Sequence, residues 1–165
     1  MKEKIQIRRL IKEDKEKYLK LKDINKDLFE KRLKQTKDYL DETFVAILDE
    51  NIVGEVTLRK DSGRYFLINE EIPEIQDLYV KEEFRNKGIG TKLIKFCTNE
   101  ACIYSDKLLI GVNISNINAI NLYIKNDFNF FSKIVSLEKE KIIEENENIV
   151  YNEDLAFFLI KDLTI

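Results

Sequence analysis

Residues 75–92 run from a strand pattern through two glycines into a helix pattern, and few folds accept that order. Ile75 to Val80 is apolar and β-favouring, Lys81-Glu82-Glu83 is a charged turn, and Arg85-Asn86-Lys87-Gly88-Ile89-Gly90 opens a helical stripe. Glycines at a helix mouth let a ligand approach the backbone closely, and the first turn of a helix has N–H groups without partners. Those donors, the positive end of the helix dipole and two cationic side chains predict a phosphate cradle between strand and helix. An ordinary helix-entry turn would also account for the pattern, so the rest of the chain has to decide.

Two phosphate-binding motifs are excluded. No Gly-x-x-x-x-Gly-Lys-Ser/Thr occurs, and Leu93 stands where a dinucleotide fingerprint needs a third glycine or alanine. The chain contains no histidine, which removes His-dependent triads and argues against a transition-metal site. Cys97 and Cys102 lie five apart in a helical pattern, unsuited to a disulfide or a metal knuckle, so a reducing cytoplasm is expected. A length of 165 residues with 44% hydrophobic and 36% charged residues predicts a single domain over 1–165 with a real core. No apolar run reaches the roughly 20 residues of a membrane span, and the first residues lack the apolar segment of a secretory signal. A net charge of −3 argues against a nucleic-acid binder. The charge is unevenly spread: residues 1–41 lean basic, with fourteen Lys/Arg against nine Asp/Glu, and residues 138–154 lean acidic.

Along the chain, Ile5, Ile7 and Leu10 suggest a short strand, and Asp14 an N-cap for a helix carrying Tyr18, Leu21 and Ile24. Asn25 or Asp27 would start a second helix with Phe29, Leu33, Thr36 and Leu40 on one face. Thr43–Leu48 and Ile52–Leu58 read as a hairpin, while residues 59–73 stay unassigned, with Tyr65–Ile68 a candidate strand. Ile89, Leu93, Cys97, Ala101 and Tyr104 form one helical stripe, and Leu108–Val112 a buried strand. A helix follows from Ser115 or Asn116 to about Asn126. A strand over 128–137, an acidic connection over 138–152 and a closing strand over 155–161 complete the chain.

The 85–90 cradle resembles motif A of the GNAT (Gcn5-related) N-acetyltransferases, Gln/Arg-x-x-Gly-x-Gly/Ala after a strand. Downstream the family carries Asn-x-x-Ala-x-x-Leu-Tyr-x-x-x-Gly-Phe. Here Asn116, Ala119, Leu122, Tyr123 and Phe128 match it, and Asp127 replaces the glycine. The two motifs stand in the right order and the resemblance covers nearly the whole chain, most weakly at 59–73 and 138–152. It implies an α/β (α+β) acyl-CoA N-acyltransferase fold, a mixed, mostly antiparallel sheet of six to seven strands with about four helices. It also implies transfer of acetyl from acetyl-CoA to a primary amine, with no metal.

By this resemblance Leu78, Tyr79 and Val80 meet the pantetheine arm and thioester through their backbone, and Arg85, Asn86, Lys87, Gly88, Ile89, Gly90 and Thr91 surround the diphosphate. Asn116 would contact the cofactor arm, although N-capping explains it equally well. Tyr123 would be the general acid that protonates the departing thiolate; as a residue it could also be a core aromatic. A lysine-like amine is neutral to only about one part in a thousand at pH 7, so a base or a lowered amine pKa is needed. Some members use a glutamate near the start of the central strand, where Glu74 stands, and others one late in the next strand, where this chain has Gly111. A water chain is the alternative to Glu74. Strand alternation puts Glu74 and Gln76 on one face, Ile75 and Asp77 on the other. Acidic residues 69–77 favour a small cationic acceptor, polyamine- or aminoglycoside-like. The alternatives are acetylation of a protein N-terminus or lysine, and a regulatory module that binds acetyl-CoA without chemistry. Neither a nucleic-acid nor a membrane partner is expected, and a homodimer is left open.

Overall fold

The computed structural model describes residues 5–22, 26–38, 41–64, 69–131, 135–143 and 149–163. The expected strand at Tyr65–Ile68, and Ile24, Asn25 and Leu40, lie outside these residues. The elements in chain order are β1 (Gln6–Arg9), α1 (Lys15–Leu19), α2 (Lys26–Lys37), β2 (Asp41–Leu48), β3 (Asn51–Arg59) and β4 (Glu74–Val80). Then come α3 (Ile89–Ala101), β5 (Lys107–Asn113), α4 (Ile117–Ile124), β6 (Asn129–Phe130), β7 (Val135–Ile143) and β8 (Ile149–Asp162). All eight strands join one sheet in the order β1-β2-β3-β4-β5-β8-β6, with β7 also on β8. Among the described residues only β4 and β5 pair in parallel. The strand count exceeds the expected six to seven because β6, two residues long, precedes β7 along the same edge of β8.

Two packed layers cover the sheet. On one face α3 buries Ile89, Leu93, Ile94, Cys97 and Ala101 against Phe44, Val56, Leu58, Ile75 and Ile110, with Tyr123 and Phe128 closing the cluster. Full burial of a side chain such as Leu93 stabilises the fold by about 1.5–3 kcal/mol. On the other face Tyr18, Leu21 and Phe29 of the α1–α2 region pack on Val45 and Ile52. The β2–β3 hairpin turns through Asp49 and Glu50, both at positive φ (46° and 63°), which follows the right-handed twist of the strands it joins.

Three expectations are corrected. Asp14 does not cap α1: its carboxylate takes two hydrogen bonds from Arg8, both 2.7 Å, and one from the Ile11 amide at 3.0 Å. Burial alone would raise its pKa, but the Arg8 and Ile11 hydrogen bonds win and hold it below the usual carboxylate value. Residues 138–152 are not simply a connection, because β7 extends to Ile143 and β8 begins at Ile149. Charged composition read as a solvated loop here belongs to an edge hairpin, where such residues keep other chains from pairing.

The third correction shapes the site. Gln76 lies opposite Thr57 and Tyr79 opposite Glu55, so Asp77 and Leu78 together face Val56 in a bulge, with Asp77 at φ 53°. Regular alternation would place Asp77 beside Ile75 on the α3 face. Instead Asp77 meets Arg32 of α2 at 3.2 Å, Leu78 and Val80 turn to the α3 side, and Tyr79 joins the α1–α2 side. One inserted residue reverses the direction of everything after it.

Candidate active site

β4 and β5 pair only at Glu74–Leu109 and Ile75–Ile110 and then part, although both strands run on to Val80 and Asn113. Where β4 has left β5, a cavity of about 400 Å³ lies on the α3 side, between the end of β4, the start of α3 and α4. Its walls are Leu78 and Val80 of β4, the segment 84–91 apart from Lys87, and Asn116, Asn118, Ala119, Leu122, Tyr123 and Lys125 on and beside α4. Arg85 and Lys125 are the charged lining residues, and no carboxylate lines the cavity among the described residues.

The first turn of α3 is built to receive an anion. Its first helical hydrogen bond runs from the Lys92 amide to the Gly88 carbonyl at 3.1 Å, so the amides of Ile89, Gly90 and Thr91 have no intrahelical acceptor. No side chain caps this end. Gly88 sits at φ 78° and Asn86 at φ 61°, two left-handed residues that turn the chain sharply into the helix. Gly90 permits α4 to come close: a Cβ there would lie 3.1 Å from Leu122. Arg85 is anchored by its Nε, which donates to the Val80 carbonyl at 3.0 Å.

Tyr123 enters from α4, 7% exposed, its ring 6.3 Å from that of Phe128. Its hydroxyl makes no hydrogen bond among the described residues, and burial pushes its pKa up to about 12. Asn116 does two things at once, lining the cavity and capping α4 by accepting from the Ala119 amide at 3.1 Å. Asp127, at the position of the motif's glycine, takes the left-handed conformation that such a glycine serves, at φ 67°.

Not every expected residue lines the cavity. Lys87 is outside it, its Nζ 5.0 Å from the Phe84 ring centroid, and Tyr79 turns to the opposite face. Glu74 also lies outside, 3% exposed, accepting from Gln76 Nε2 at 3.0 Å and 3.5 Å from Arg64 Nε. Its carboxyl pKa is raised, by burial, against the pull of Arg64 and Gln76. A Cβ on Gly111 would lie 3.6 Å from Glu74 Oε1 and 3.1 Å from the Phe158 ring. Glu74 thus reaches beside Gly111 of the neighbouring strand, where the two strands part. Phe84, Asn118, Ala119, Leu122 and Lys125 were not anticipated as lining; helical spacing from Tyr123 would have found Ala119.

The profile of the acetyltransferase (GNAT) domain matches residues 40–130, more than half of the chain. The chain belongs to the GNAT acetyltransferase family. It is an acetyl-CoA-dependent N-acetyltransferase with the acyl-CoA N-acyltransferase fold. A comparison with curated protein sequences returned no match. Among solved structures, a Bacillus subtilis acetyltransferase in complex with CoA is 24% identical, with a TM-score of 0.68, and the alignment covers 98% of this chain and 100% of that one. A spermidine N-acetyltransferase chimera from Vibrio cholerae and hSSAT is 17% identical, TM-score 0.71, covering 96% and 95%. A ribosomal-protein alanine N-acetyltransferase from Escherichia coli is 13% identical, TM-score 0.70, covering 98% and 96%. At these identities the likeness is one of fold. Among the described residues of this acetyltransferase no cluster of side chains suited to a metal occurs, and no helix is long and apolar enough to cross a membrane.

Proposed function

We propose that acetyl-CoA enters the cavity with its diphosphate on the free amides of Ile89, Gly90 and Thr91 beside Arg85, and its thioester at the parting of β4 and β5. The observation that carries this reading is that parting: it separates a carboxylate-free cavity with Tyr123 on one face from the buried Glu74 carboxylate on the other. Backbone N–H groups of Leu78 and Val80, freed from β5, would hold the carbonyl oxygen as it becomes an oxyanion. A primary amine arrives from the α1–α2 face, and its nitrogen attacks the thioester carbon. The amine proton passes to Glu74, directly or through water, the C–S bond breaks, and the thiolate takes the Tyr123 proton.

The acceptor class we infer is a small cationic amine. Among the acidic residues near the site, Glu70 pairs with Lys107 at 2.8 Å, Glu74 with Arg64 and Asp77 with Arg32, while Glu71 is exposed and makes no ion pair among the described residues. A cationic acceptor must therefore use Glu71 or displace an internal cation. An exposed free thiol at Cys102 supports a cytoplasmic setting.

Release of coenzyme A thiol is the test, with acetyl-CoA and a panel of diamines, aminoglycosides, lysine peptides and free protein N-termini. Faster release with the diamines or aminoglycosides is expected. Faster release with the peptides would move the acceptor to protein, and acetyl-CoA binding with no release from any amine would make the chain a binding module.

A further inference from the structure

Beside Tyr79, on the face opposite the cavity, the fold holds a carboxylate and an aromatic ring around an alkylammonium group. Glu55 of β3 is 0% exposed, and its Oε2 accepts from the Tyr18 hydroxyl. Lys22 Nζ lies 2.5 Å from Glu55 Oε1 and 4.9 Å from the Tyr79 ring centroid. Oε1 thus has the Lys22 ammonium as its ion-pair partner, and no other hydrogen-bond donor is at hand among the described residues. Arg32 Nε stands farther off, 3.8 Å from Oε2, while the Nη1 and Nη2 groups of the same guanidinium donate to Thr57 and Asp77. The Lys22 side chain is 31% exposed, so the place it occupies opens to solvent.

We propose that Glu55 and the Tyr79 ring form a binding site for a primary alkylammonium group, filled in the free protein by Lys22, which a diamine's second ammonium displaces. The proposal rests on the reading that the acceptor arrives on the α1–α2 face. The chemistry suits such a group. A carboxylate supplies charge and acceptors, a phenol ring supplies attraction to a cation over its face, and both already hold an amine of the right kind. Tyr79 reaches this side only because of the bulge at Asp77, and it stands between Leu78 and Val80, which line the acetyl-CoA cavity. Acceptor affinity is then its intrinsic value multiplied by the fraction of time Lys22 leaves the site vacant.

The experiment measures KM for 1,4-diaminobutane and for n-butylamine, and binding of 1,4-diaminobutane by calorimetry, in the full chain and in Lys22→Met. If Lys22 holds the site about nine-tenths of the time, removing it lowers the diamine-to-monoamine KM ratio, and the diamine Kd, about tenfold. Lys22→Met with Glu55→Gln, which removes both charges and so avoids a buried unpaired carboxylate, should reverse that gain. An unchanged ratio and Kd in Lys22→Met would overturn the proposal, as would a gain that survives loss of the Glu55 charge. Thiol release with n-butylamine reports separately on the acetyl-transfer reading, so the two fail independently.

Discussion

The two sides of β4 handle charge in opposite ways. Toward the cavity the strand presents Leu78 and Val80, and beyond them lie Arg85, Lys125 and an uncapped helix start with no carboxylate in the lining. Toward α1 and α2 it presents Glu74, Asp77 and Tyr79, and each carboxylate has a cation at hand: Arg64 for Glu74, Arg32 for Asp77. The unbalanced side suits a ligand that brings several negative charges of its own. The balanced side suits one that exchanges with a group already present, or that arrives neutral. Charge left unsatisfied locates the cosubstrate, whereas charge already satisfied hides the acceptor.

The sharpest way to break this contrast is Tyr123→Phe, which removes one oxygen from the cavity side and no charge. With a pKa near 12 against roughly 8.5 for a thiol, full proton transfer is uphill by about 5 kcal/mol. The phenol is therefore always loaded at working pH and gives up its proton only as the sulfur departs. General acid–base groups contribute about 10²–10⁴-fold. The expected result is a loss of that size in kcat with acetyl-CoA affinity nearly unchanged, read by stopped-flow thiol release and by calorimetry. A kcat within twofold of the parent would remove Tyr123 from the chemistry. No limb of the pH profile below about pH 11 should belong to this phenol.

Glu74→Gln probes the balanced side, with an expected loss in kcat/KM of about 10²-fold at pH 7, at the lower end for an acid–base group. Because burial raises its pKa, the carboxyl is a better base near neutrality, and kcat/KM should rise with pH through that raised value. The variant should lose this acidic limb. Linkage gives a second readout. A carboxyl whose folded pKa exceeds its unfolded pKa contributes stability that is full below the unfolded value and declines as pH rises through the folded one. Thermal melts of parent and variant should therefore differ in the parent's disfavour as pH rises, unless Arg64, left without Glu74, offsets the gain. A pH profile that keeps its acidic limb in the variant would assign the proton to a water chain.

What could be read in the sequence divides along the same line. The cavity side was legible because its parts are local: two glycines before a helical stripe, and an asparagine three residues before the amide it caps. The α1–α2 side was not. Strand alternation describes β4 up to Gln76 and fails at Asp77, because nothing in Gln-Asp-Leu-Tyr marks an inserted residue that only the pairing with β3 defines. Glu55 stands out in the sequence only as one of four acidic residues, with Glu70, Glu71 and Asp77, that could hold a cationic acceptor, and its placement is not legible there because its partners Tyr18 and Lys22 come from more than thirty residues away. The β7–β8 hairpin was missed because edge strands tolerate the charged composition that also marks loops.

The smallest effect is expected at Asp127, where the chain departs from the family's glycine. The residue keeps the left-handed backbone at φ 67°, which aspartate adopts with less strain than most side chains, and its carboxylate lies 3.5 Å from Lys161 Nζ. That carboxylate is exposed, so the pair adds little. Asp127→Gly would relieve the strained φ but enlarge the conformational freedom of the unfolded chain, and these effects oppose each other at about 1 kcal/mol each. The melting temperature should move by only a few degrees and acetyl transfer by less than twofold. Asp127→Val, whose branched side chain does not tolerate this φ, should destabilise the turn after α4 and carry Tyr123 with it. If valine were as well tolerated as glycine, the left-handed turn would not be what positions the phenol, and the family's glycine would need another explanation.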